Sequence, residues 1–327
     1  MMFYVLAAAL CLAIFLLVMA GALLLCQAGL RMARPLIASW APRNAANLLF
    51  CMQMLPFVLA SVTALGIALP AFLEFEPRAT SEFVSAKLLF LAAGGVLAVV
   101  GMALRAIRAW FSTAGAVARW RTLSTELHVP GLSIPVHRIE HDSPFMVVAG
   151  LLRPRIFVGR SIVQALTPDE LAAALAHEKA HARSFDNLKQ FWLKTIRLPE
   201  LLARFATGQR AWTSLSEMAA DEDALAEGAS PLDLSSALIK VARLERHRLD
   251  ADLVACQFLP DGSASVLELR AARLEQKLAK GTCAATPKRL DWRLITTTGV
   301  VMAGLLYVVC LSTLLPWMHE ALETLVR

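Results

Sequence analysis

Charged residues are scarce in this chain of 327 residues, and their scarcity limits what the protein can be. Asp, Glu, Lys and Arg make up 18% of the sequence, hydrophobic residues make up 57%, and the mean hydropathy is +0.57. An average soluble domain carries about 25% charged residues. The composition therefore argues against a single soluble domain and directs attention to apolar stretches of about 20 residues, the length that crosses a bilayer.

Cysteine patterns that would indicate a disulfide framework are also missing. The six cysteines form no CxxC pair; four lie in apolar stretches, and Cys256 and Cys283 are isolated. A disulfide-stabilised fold needs clustered cysteines that can pair. We therefore interpret all six as packing residues.

Four apolar stretches are long enough to cross a bilayer, namely residues 3–30, 47–73, 84–104 and 295–317. They contain no buried pair of acids and no series of arginines, which argues against a pump, a transporter or a voltage sensor. The first stretch could instead be a signal peptide, but its core is too long and it lacks a preceding basic region. The sequence thus predicts four transmembrane helices.

Basic residues cluster on one side of these stretches. They are Arg31, Arg34 and Arg43 between the first two stretches, Arg105, Arg108, Arg119 and Arg121 after the third, and Lys288, Arg289 and Arg293 before the fourth. The positive-inside rule places these flanks in the cytoplasm and both termini outside it, in a bacterial-type inner (cytoplasmic) membrane. Attraction of the flanks to the anionic lipid bilayer accounts for the net charge of +6 and the pI of about 9.2. No direct nucleic-acid partner is needed to explain the charge.

This topology divides the chain into three parts. Residues 1–105 carry three transmembrane helices, residues 106–293 form a cytoplasmic domain, and residues 294–327 carry the fourth helix and a short extracytoplasmic tail. The cytoplasmic part is long enough to bury a core of its own. We therefore expect the functional residues to lie in this cytoplasmic part.

The cytoplasmic part is predicted to begin with a helix and a small sheet. Residues 106–127 resemble a helix that leaves the membrane surface, or else the continuation of the third span. Apolar, β-branched runs at 135–140, 145–149 and 155–158 are broken by turn residues such as Gly150. Such runs predict short antiparallel strands.

A helix with a strong N-terminal signal is predicted next. Thr167 can cap it, Pro168 suits its first position, and Glu170 completes a Thr-x-x-Glu capping box. The helix carries the sequence His-Glu-Lys-Ala-His at 177–181. This is the His-Glu-x-x-His motif of zinc hydrolases, although such a short string also arises by chance.

The spacing of the motif has a mechanical reason. With 3.6 residues per turn, His177 and His181 project from the same face, where both can bind one Zn²⁺ ion. Glu178 lies about 100° round the helix, where it can act on a metal-bound water without binding the metal. We therefore assign the metal to the histidines and the catalytic role to Glu178.

A third zinc ligand is predicted on a second helix, around residues 217–224. Glu217 can bind the metal, while Asp221, four residues later on the same face, accepts a hydrogen bond from the outer nitrogen of a ligand histidine. Glu200 and Glu222 are weaker candidates. Alone, this acidic cluster would be interpreted as a solvated helix face.

Several pieces of sequence occur together in a fixed order. They are Ser143-Pro144-Phe145, Gly150-Leu151-Leu152-Arg153-Pro154-Arg155-Ile156, Leu166-Thr167-Pro168-Asp169-Glu170-Leu171, His177-Glu178-x-x-His181, Asp186-Asn187 and Glu217-x-x-x-Asp221. In these pieces the chain resembles the BlaR/MecR-type membrane metallopeptidases and, more distantly, the HtpX-like ones. About ten residues follow the fourth stretch, so we expect no extracellular penicillin-binding sensor domain.

The resemblance implies an α-helical membrane protein with an α+β, gluzincin-like zinc metallopeptidase domain. It implies zinc on His177, His181 and Glu217, Glu178 as catalytic base, and a role in signalling or membrane-proximal proteolysis. The expected function is that of a membrane zinc endopeptidase acting on a cytoplasmic or membrane-proximal protein. Candidate substrates are a transcriptional repressor and the chain itself, and a homodimer is one possible assembly. The alternative is a non-catalytic signalling scaffold in which zinc only joins two helices.

The sequence also suggests a strand that could bind the substrate. A peptidase can hold an extended substrate by strand addition to a sheet edge. Phe145, Met146, Val147 and Val148 are the candidate edge, since they are β-rich and end at Gly150. An ordinary core strand would show the same pattern.

Overall fold

Three long apolar helices occupy the first 122 residues of the computed structural model. The structure describes residues 2–37, 39–76, 85–140, 145–196, 207–244, 255–257 and 264–280, together with 304, 307, 314–322 and 324. Helix α1 spans Met2–Ile37, α2 spans Pro42–Ser61 and continues through a π-helical segment, Val62–Ala68, into α3 at Leu69–Phe75, and α4 spans Ala86–Thr122.

In the described part of the chain, three helical segments are long and apolar enough to cross a membrane: Met2–Ala33, Pro42–Phe75 and Ala86–Thr122. They coincide with the first three predicted stretches. The fourth, at 295–317, lies mostly outside the described residues. Helix α4 is unbroken to Thr122, so residues 106–122 continue the third span rather than forming a separate helix.

Close packing of α1 against α4 depends on one glycine. A Cβ atom added at Gly95 would lie 2.5 Å from the carbonyl oxygen of Leu12. Because any side chain there would collide with backbone, glycine lets the two helices approach.

A five-stranded sheet follows the helices. Its strands are β1 (Ser124–Leu127), β2 (Val136–Ile139), β3 (Met146–Ala149), β4 (Arg155–Gly159) and β5 (Ala255–Gln257), in the order β1-β2-β4-β3-β5. The predicted strands are present, but the prediction of a purely antiparallel sheet is wrong because β2 and β4 are parallel. The β3–β4 hairpin folds back so that β4 lies beside β2, and residue alternation does not encode that order.

Helices cover the sheet and complete the second half of the chain. They are α5 (Arg160–Ala165), α6 (Pro168–Arg183), α7 (Asp186–Thr195), α8 (Thr207–Ala226), α9 (Pro231–Leu244) and α10 (Ala264–Lys280). Residues from β2, β3, β4, α6 and α9 form the main core, which includes Val148, Ile156, Leu175 and Leu238. Helix α6 is thereby held between the sheet and α9.

The predicted start of α6 is confirmed. Thr167 Oγ1 accepts from the backbone N–H of Glu170, and the Glu170 carboxylate accepts from the backbone N–H of Thr167. Burial raises the pKa of Glu170, but hydrogen bonds from Lys240, Ser236 and Thr167 outweigh it and lower the pKa to about 2. Glu170 thus joins α6 to α9 as well as capping α6.

The second half of the chain packs directly against α2. Trp212 of α8 and Leu193 of α7 are buried with Ala46 and Leu49 of α2 in one apolar cluster. The side chain of Trp212 is 2% exposed. A fully buried tryptophan contributes one of the largest apolar areas a side chain can offer, so this cluster is a substantial part of the contact.

Candidate metal centre

Three side chains from two packed helices converge inside the protein. His177 and His181 project from α6, and Glu217 projects from α8, which packs against α6. His177 Nε2 lies 3.1 Å from His181 Nε2 and 3.4 Å from Glu217 Oε2, and His181 Nε2 lies 3.5 Å from Glu217 Oε1. Among the residues that the structure describes, this is the one His/Cys/Asp/Glu group able to hold a metal ion.

The separations match those of ligands around tetrahedral zinc. Ligand atoms about 2.0–2.1 Å from a tetrahedral zinc ion are about 3.3 Å from one another. The two Nε2 atoms are 3.1 Å apart, and they lie 3.4 and 3.5 Å from the Oε2 and Oε1 atoms of Glu217 respectively, so all three separations are close to that distance. Two imidazoles and one carboxylate also form a donor set that zinc prefers in catalytic sites, with a fourth position left for water or substrate.

Two aspartates fix the tautomers of the histidines. His177 Nδ1 lies 2.9 Å from Asp221 Oδ1, and His181 Nδ1 lies 2.9 Å from Asp186 Oδ2. An ionised carboxylate only accepts hydrogen bonds, so each Nδ1 carries the proton and each Nε2 keeps its lone pair. The two lone pairs face each other at 3.1 Å and would repel unless a cation lay between them.

Each aspartate is held in turn by an arginine. Arg270 of α10 donates from Nε to Asp221 Oδ2 at 2.8 Å and from Nη2 to Asp221 Oδ1 at 2.7 Å, while its Nη1 lies 3.1 Å from Glu217 Oε2. Arg43 of α2 places Nη1 3.2 Å from Asp186 Oδ2. The centre therefore contains two His–Asp–Arg series that converge on the same point.

A backbone bend brings Asp186 to its histidine. Phe185, between α6 and α7, has φ 54° and ψ 36°, the left-handed conformation that residues other than glycine rarely adopt. Asn187 then donates to the carbonyl oxygens of Val148 at 3.0 Å and Gly150 at 3.2 Å, which fixes the start of α7 on β3. The bend and this anchor together set the position of Asp186.

The three acids around the histidines are ionised at neutral pH. Burial raises the pKa of Glu217, but its close contacts with His181 and His177 and the charge of Arg270 lower it to about 2. The pKa of Asp221 is likewise raised by burial but brought below its usual range by Arg270 and His177. For Asp186, burial again raises the pKa, and His181 and Arg43 outweigh it in the same way. Metal binding requires such deprotonated ligands and neutral imidazoles.

Glu178 has the opposite electrostatic character. Its side chain is 0% exposed. Burial raises its pKa well above the usual range; the Glu217 carboxylate raises it further, while His181 and Arg270 oppose the shift. A cation bound at the centre would also lower this pKa. A buried carboxyl with a strongly raised pKa beside metal-binding side chains is a candidate proton-transfer group.

The other acidic candidates lie elsewhere. Glu222 accepts from Arg273 Nη2 at 2.9 Å and lies 3.5 Å from Lys277 Nζ, so it belongs to an ion-pair network on α8 and α10. Glu200 lies outside the described residues. Sequence reasoning assigned no role at the metal centre to Asp186, Arg270 or Arg43, and it used Arg43 only as a basic flank of the membrane stretches. The pair Asp186-Asn187 is a recognisable piece of the resemblance, but nothing in the sequence places the two arginines at the metal centre.

The prediction that Phe145 to Val148 form a sheet edge is wrong. β3 pairs with β4 on one side and with β5 on the other, in the register Val147 with Gln257 and Val148 with Cys256. Met146, Val147 and Val148 are also 0% exposed. Val147 and Val148 are thus paired on both sides and do not present the free sheet edge that strand addition needs.

Zinc analysis of two matched variants of α8 tests the ligand set. Glu217→Ala is expected to purify without stoichiometric zinc, because it removes the anionic ligand, and Asp221→Ala to bind zinc about 10- to 100-fold more weakly. Glu222→Ala removes the acid next to Asp221, but Glu222 only pairs with Arg273 and Lys277 away from the cluster, so this variant should keep its zinc. Inductively coupled plasma mass spectrometry and chelator competition measure both quantities. Equal zinc content in Glu217→Ala and the unaltered protein would remove Glu217 from the ligand set.

Comparison with known proteins covers the same part of the chain. Residues 145–274 match the family model described as Peptidase family M48. No curated protein matches the chain. The matched segment begins just before β3, includes His177, His181 and Glu217, and ends in α10 just after Arg270. The segment that carries the metal centre is therefore similar to the metallopeptidases of family M48.

Proposed function

We propose that this protein is an integral membrane zinc endopeptidase that cleaves a protein substrate at or near the cytoplasmic membrane surface. The observation that carries the proposal is the buried Glu178 carboxyl beside the cluster of His177, His181 and Glu217. Similarity to family M48 supports the peptidase activity, and three apolar helices support the membrane location. A role in regulatory signalling follows from the BlaR/MecR-type resemblance and belongs to the proposal.

The residues of the centre divide the chemistry between them. His177, His181 and Glu217 would hold the zinc ion, which when bound would supply polarisation of the scissile carbonyl and a lower pKa, about 7, for its water. Glu178 takes the proton from the attacking water and passes it to the leaving amine. Asp221 and Asp186 hold the imidazoles neutral and oriented, so that two uncharged ligands and one anion leave the site net positive.

The alternative, a non-catalytic zinc scaffold, does not explain why the carboxyl of Glu178 is buried. Burying a carboxyl costs free energy unless it is compensated, and a scaffold would gain stability from an apolar residue at this position. Its pKa is raised rather than lowered, unlike those of Asp221 and Asp186. This contrast supports catalysis over a purely structural zinc site.

Mapping of new protein termini in cells tests the function although the substrate is not identified. Cells producing the unaltered protein or Glu178→Gln are compared by N-terminal labelling and mass spectrometry of membrane and soluble fractions. We expect termini that require Glu178, arising in membrane-proximal proteins, in a repressor or in the chain itself. Lys179→Gln, which alters the adjacent residue paired with Glu227, should give the unaltered pattern. Identical termini in all three samples would contradict the proposal.

Reporter fusions test the proposed orientation. A phosphatase that folds only after export is expected to be active when fused after Arg327 and inactive when fused after Thr167, because the basic flanks favour the cytoplasm. A cytoplasmic fluorescent reporter at the same two positions provides the control, with the reverse pattern expected. Phosphatase activity after Thr167 would overturn the cytoplasmic location of the metal centre.

A further inference from the structure

Helix α2 lies along α8, which carries Glu217, and along α7, which carries Asp186. Leu49 of α2 is buried with Trp212 of α8, and Gly208 at the start of α8 lies against Gln53. On the other side, the rings of Phe57 and Trp192 of α7 are 6.3 Å apart. One candidate membrane span therefore packs on α7 and α8 over much of its first half.

Arg43, in the first turn of α2, is the polar part of this contact. Its Nη1 lies 3.2 Å from Asp186 Oδ2, and its Nη2 lies 3.1 Å from Asp223 Oδ2. The Arg43 side chain is 12% exposed and that of Asp186 is 1% exposed. Arg43 thus joins the start of α7 to α8 through two charge-assisted hydrogen bonds that are largely shielded from water.

The same oxygen of Asp186 serves Arg43 and the metal centre. Asp186 Oδ2 accepts from His181 Nδ1 at 2.9 Å and lies 3.2 Å from Arg43 Nη1. Lys189 Nζ lies 3.4 Å from Asp186 Oδ1 and donates to Asn47 Oδ1 at 2.9 Å, which adds a second link from α2 to Asp186. The orientation of His181 therefore depends on groups held by a membrane helix.

We propose that Arg43 is a positioning residue of the metal centre, which holds Asp186 against His181 so that the placement of membrane helix α2 sets the geometry of that ligand. Arg270 performs the equivalent task for His177, but from α10 within the matched peptidase segment. Of the two supports, only Arg43 comes from a candidate span. The inference rests on the proposed zinc site.

The coupling has a clear physical basis. Hydrogen bonds weaken steeply beyond about 3.5 Å, so a displacement of α2 by about 1–2 Å relative to α7 would break the Arg43–Asp186 contact. Asp186 would then keep Lys189 and lose its strongest cationic neighbour, and His181 would be less firmly oriented. Partners that hold a ligand histidine in this way typically alter metal affinity when removed.

Metal affinity of Arg43→Gln provides the first test. We expect zinc binding about 3- to 10-fold weaker than in the unaltered protein, less than the effect of losing an aspartate that touches a ligand directly. The Co²⁺-substituted variant should show a shifted or weakened visible absorption band, since His181 is reoriented. Arg31→Gln is the matched control, because it removes an exposed positive charge at the same end of the helices and should change neither quantity.

A double-mutant cycle separates positioning through Asp186 from a general loss of packing. Asp186→Asn alone should weaken zinc binding about 10- to 100-fold. In the Asp186→Asn background, Arg43→Gln should weaken zinc binding by a further factor of less than about 2, because residue 186 no longer carries the charge that Arg43 contacts. Arg43→Lys, which keeps a buried positive charge but not both contacts, should be intermediate; it carries the test if Arg43→Gln cannot be purified.

The outcomes separate this inference from the proposed zinc site. Unchanged zinc affinity and cobalt spectrum in Arg43→Gln, or strictly additive effects in the cycle, would overturn the positioning role. Glu217→Ala measured in parallel reports on the zinc site itself. If Glu217→Ala also kept its zinc, the proposed metal centre would fail, whereas loss of zinc there with no effect of Arg43→Gln would overturn the role of Arg43 alone.

Discussion

Glu178→Gln is expected to bind zinc as the unaltered protein does and to lose about 10²- to 10⁴-fold in peptidase rate, the usual contribution of a general base. Glutamine preserves the shape of the side chain but cannot accept the proton of the attacking water. The ligand atoms of His177, His181 and Glu217 are untouched, so metal content should not change. Retained metal with lost activity distinguishes a proton-transfer group from a ligand.

The measurement pairs zinc stoichiometry with cleavage of a substrate identified by terminus mapping, in detergent or reconstituted bilayers. Glu178 is fully buried with a raised pKa, and removal of its titrating carboxyl should leave the stability of the metal-free protein equal or higher. Lys179→Gln serves as the control on the same helix. Wild-type cleavage by Glu178→Gln, or stoichiometric loss of its zinc, would contradict the assigned role.

Arg270→Met is expected to be the most destabilising of the proposed substitutions, lowering the free energy of unfolding by about 3–5 kcal/mol. The guanidinium group is buried and compensates the carboxylates of Asp221 and Glu217 at once. Methionine fills much of the same volume but leaves both acids without their cation. Zinc affinity should also fall, because Asp221 no longer holds His177 in place.

The same substitution should change how stability depends on pH. Burial raises the pKa of Glu217 and Asp221, but charged and hydrogen-bonding neighbours lower both below their unfolded values, that of Glu217 to about 2. A carboxyl whose pKa is lower in the folded state stabilises the fold above its unfolded pKa, about 4, and loses that contribution as pH falls towards the folded value. Without Arg270 the folded pKa values rise towards the unfolded ones, so this contribution shrinks and the stability of the variant should fall less between pH 8 and pH 4 than that of the unaltered protein.

Thermal unfolding of the metal-free protein between pH 4 and pH 8, together with zinc competition at neutral pH, measures both effects. Arg273→Met is a matched control, because Arg273 lies one turn along α10 and pairs with the outer acid Glu222 at 2.9 Å. Its expected effect is below about 1 kcal/mol, as for exposed ion pairs. Equal stability of Arg270→Met and Arg273→Met would show that Arg270 is not needed to compensate the buried acids.

Local signals in the sequence are sufficient for the helix that carries the motif. Thr167, Pro168 and Glu170 specify where α6 begins, and the spacing of His177 and His181 specifies that they share a face. Glu217 and Asp221 can be placed on one face of α8 by the same rule. These inferences succeed because the interactions involved lie within one or two helical turns.

The sequence pattern does not determine the order of the strands in the sheet. The runs that form β2, β3 and β4 are recognisable, yet β5 at Ala255–Gln257 has no comparable signal, and its pairing with β3 removes the predicted edge. A buried edge strand and a buried central strand have the same apolar pattern. Only the path of the chain decides which one is covered.

Amino-acid order alone establishes a largely apolar chain with long hydrophobic helices and a His-Glu-x-x-His helix, because composition, capping and helical period are local properties. The supports of the metal ligands come from tertiary packing. Arg270 reaches Asp221 across 49 residues of chain, and Arg43 reaches Asp186 across 143. Contacts between residues so far apart are set by how helices pack, and single arginines leave no periodic or spacing signal by which the sequence could reveal them.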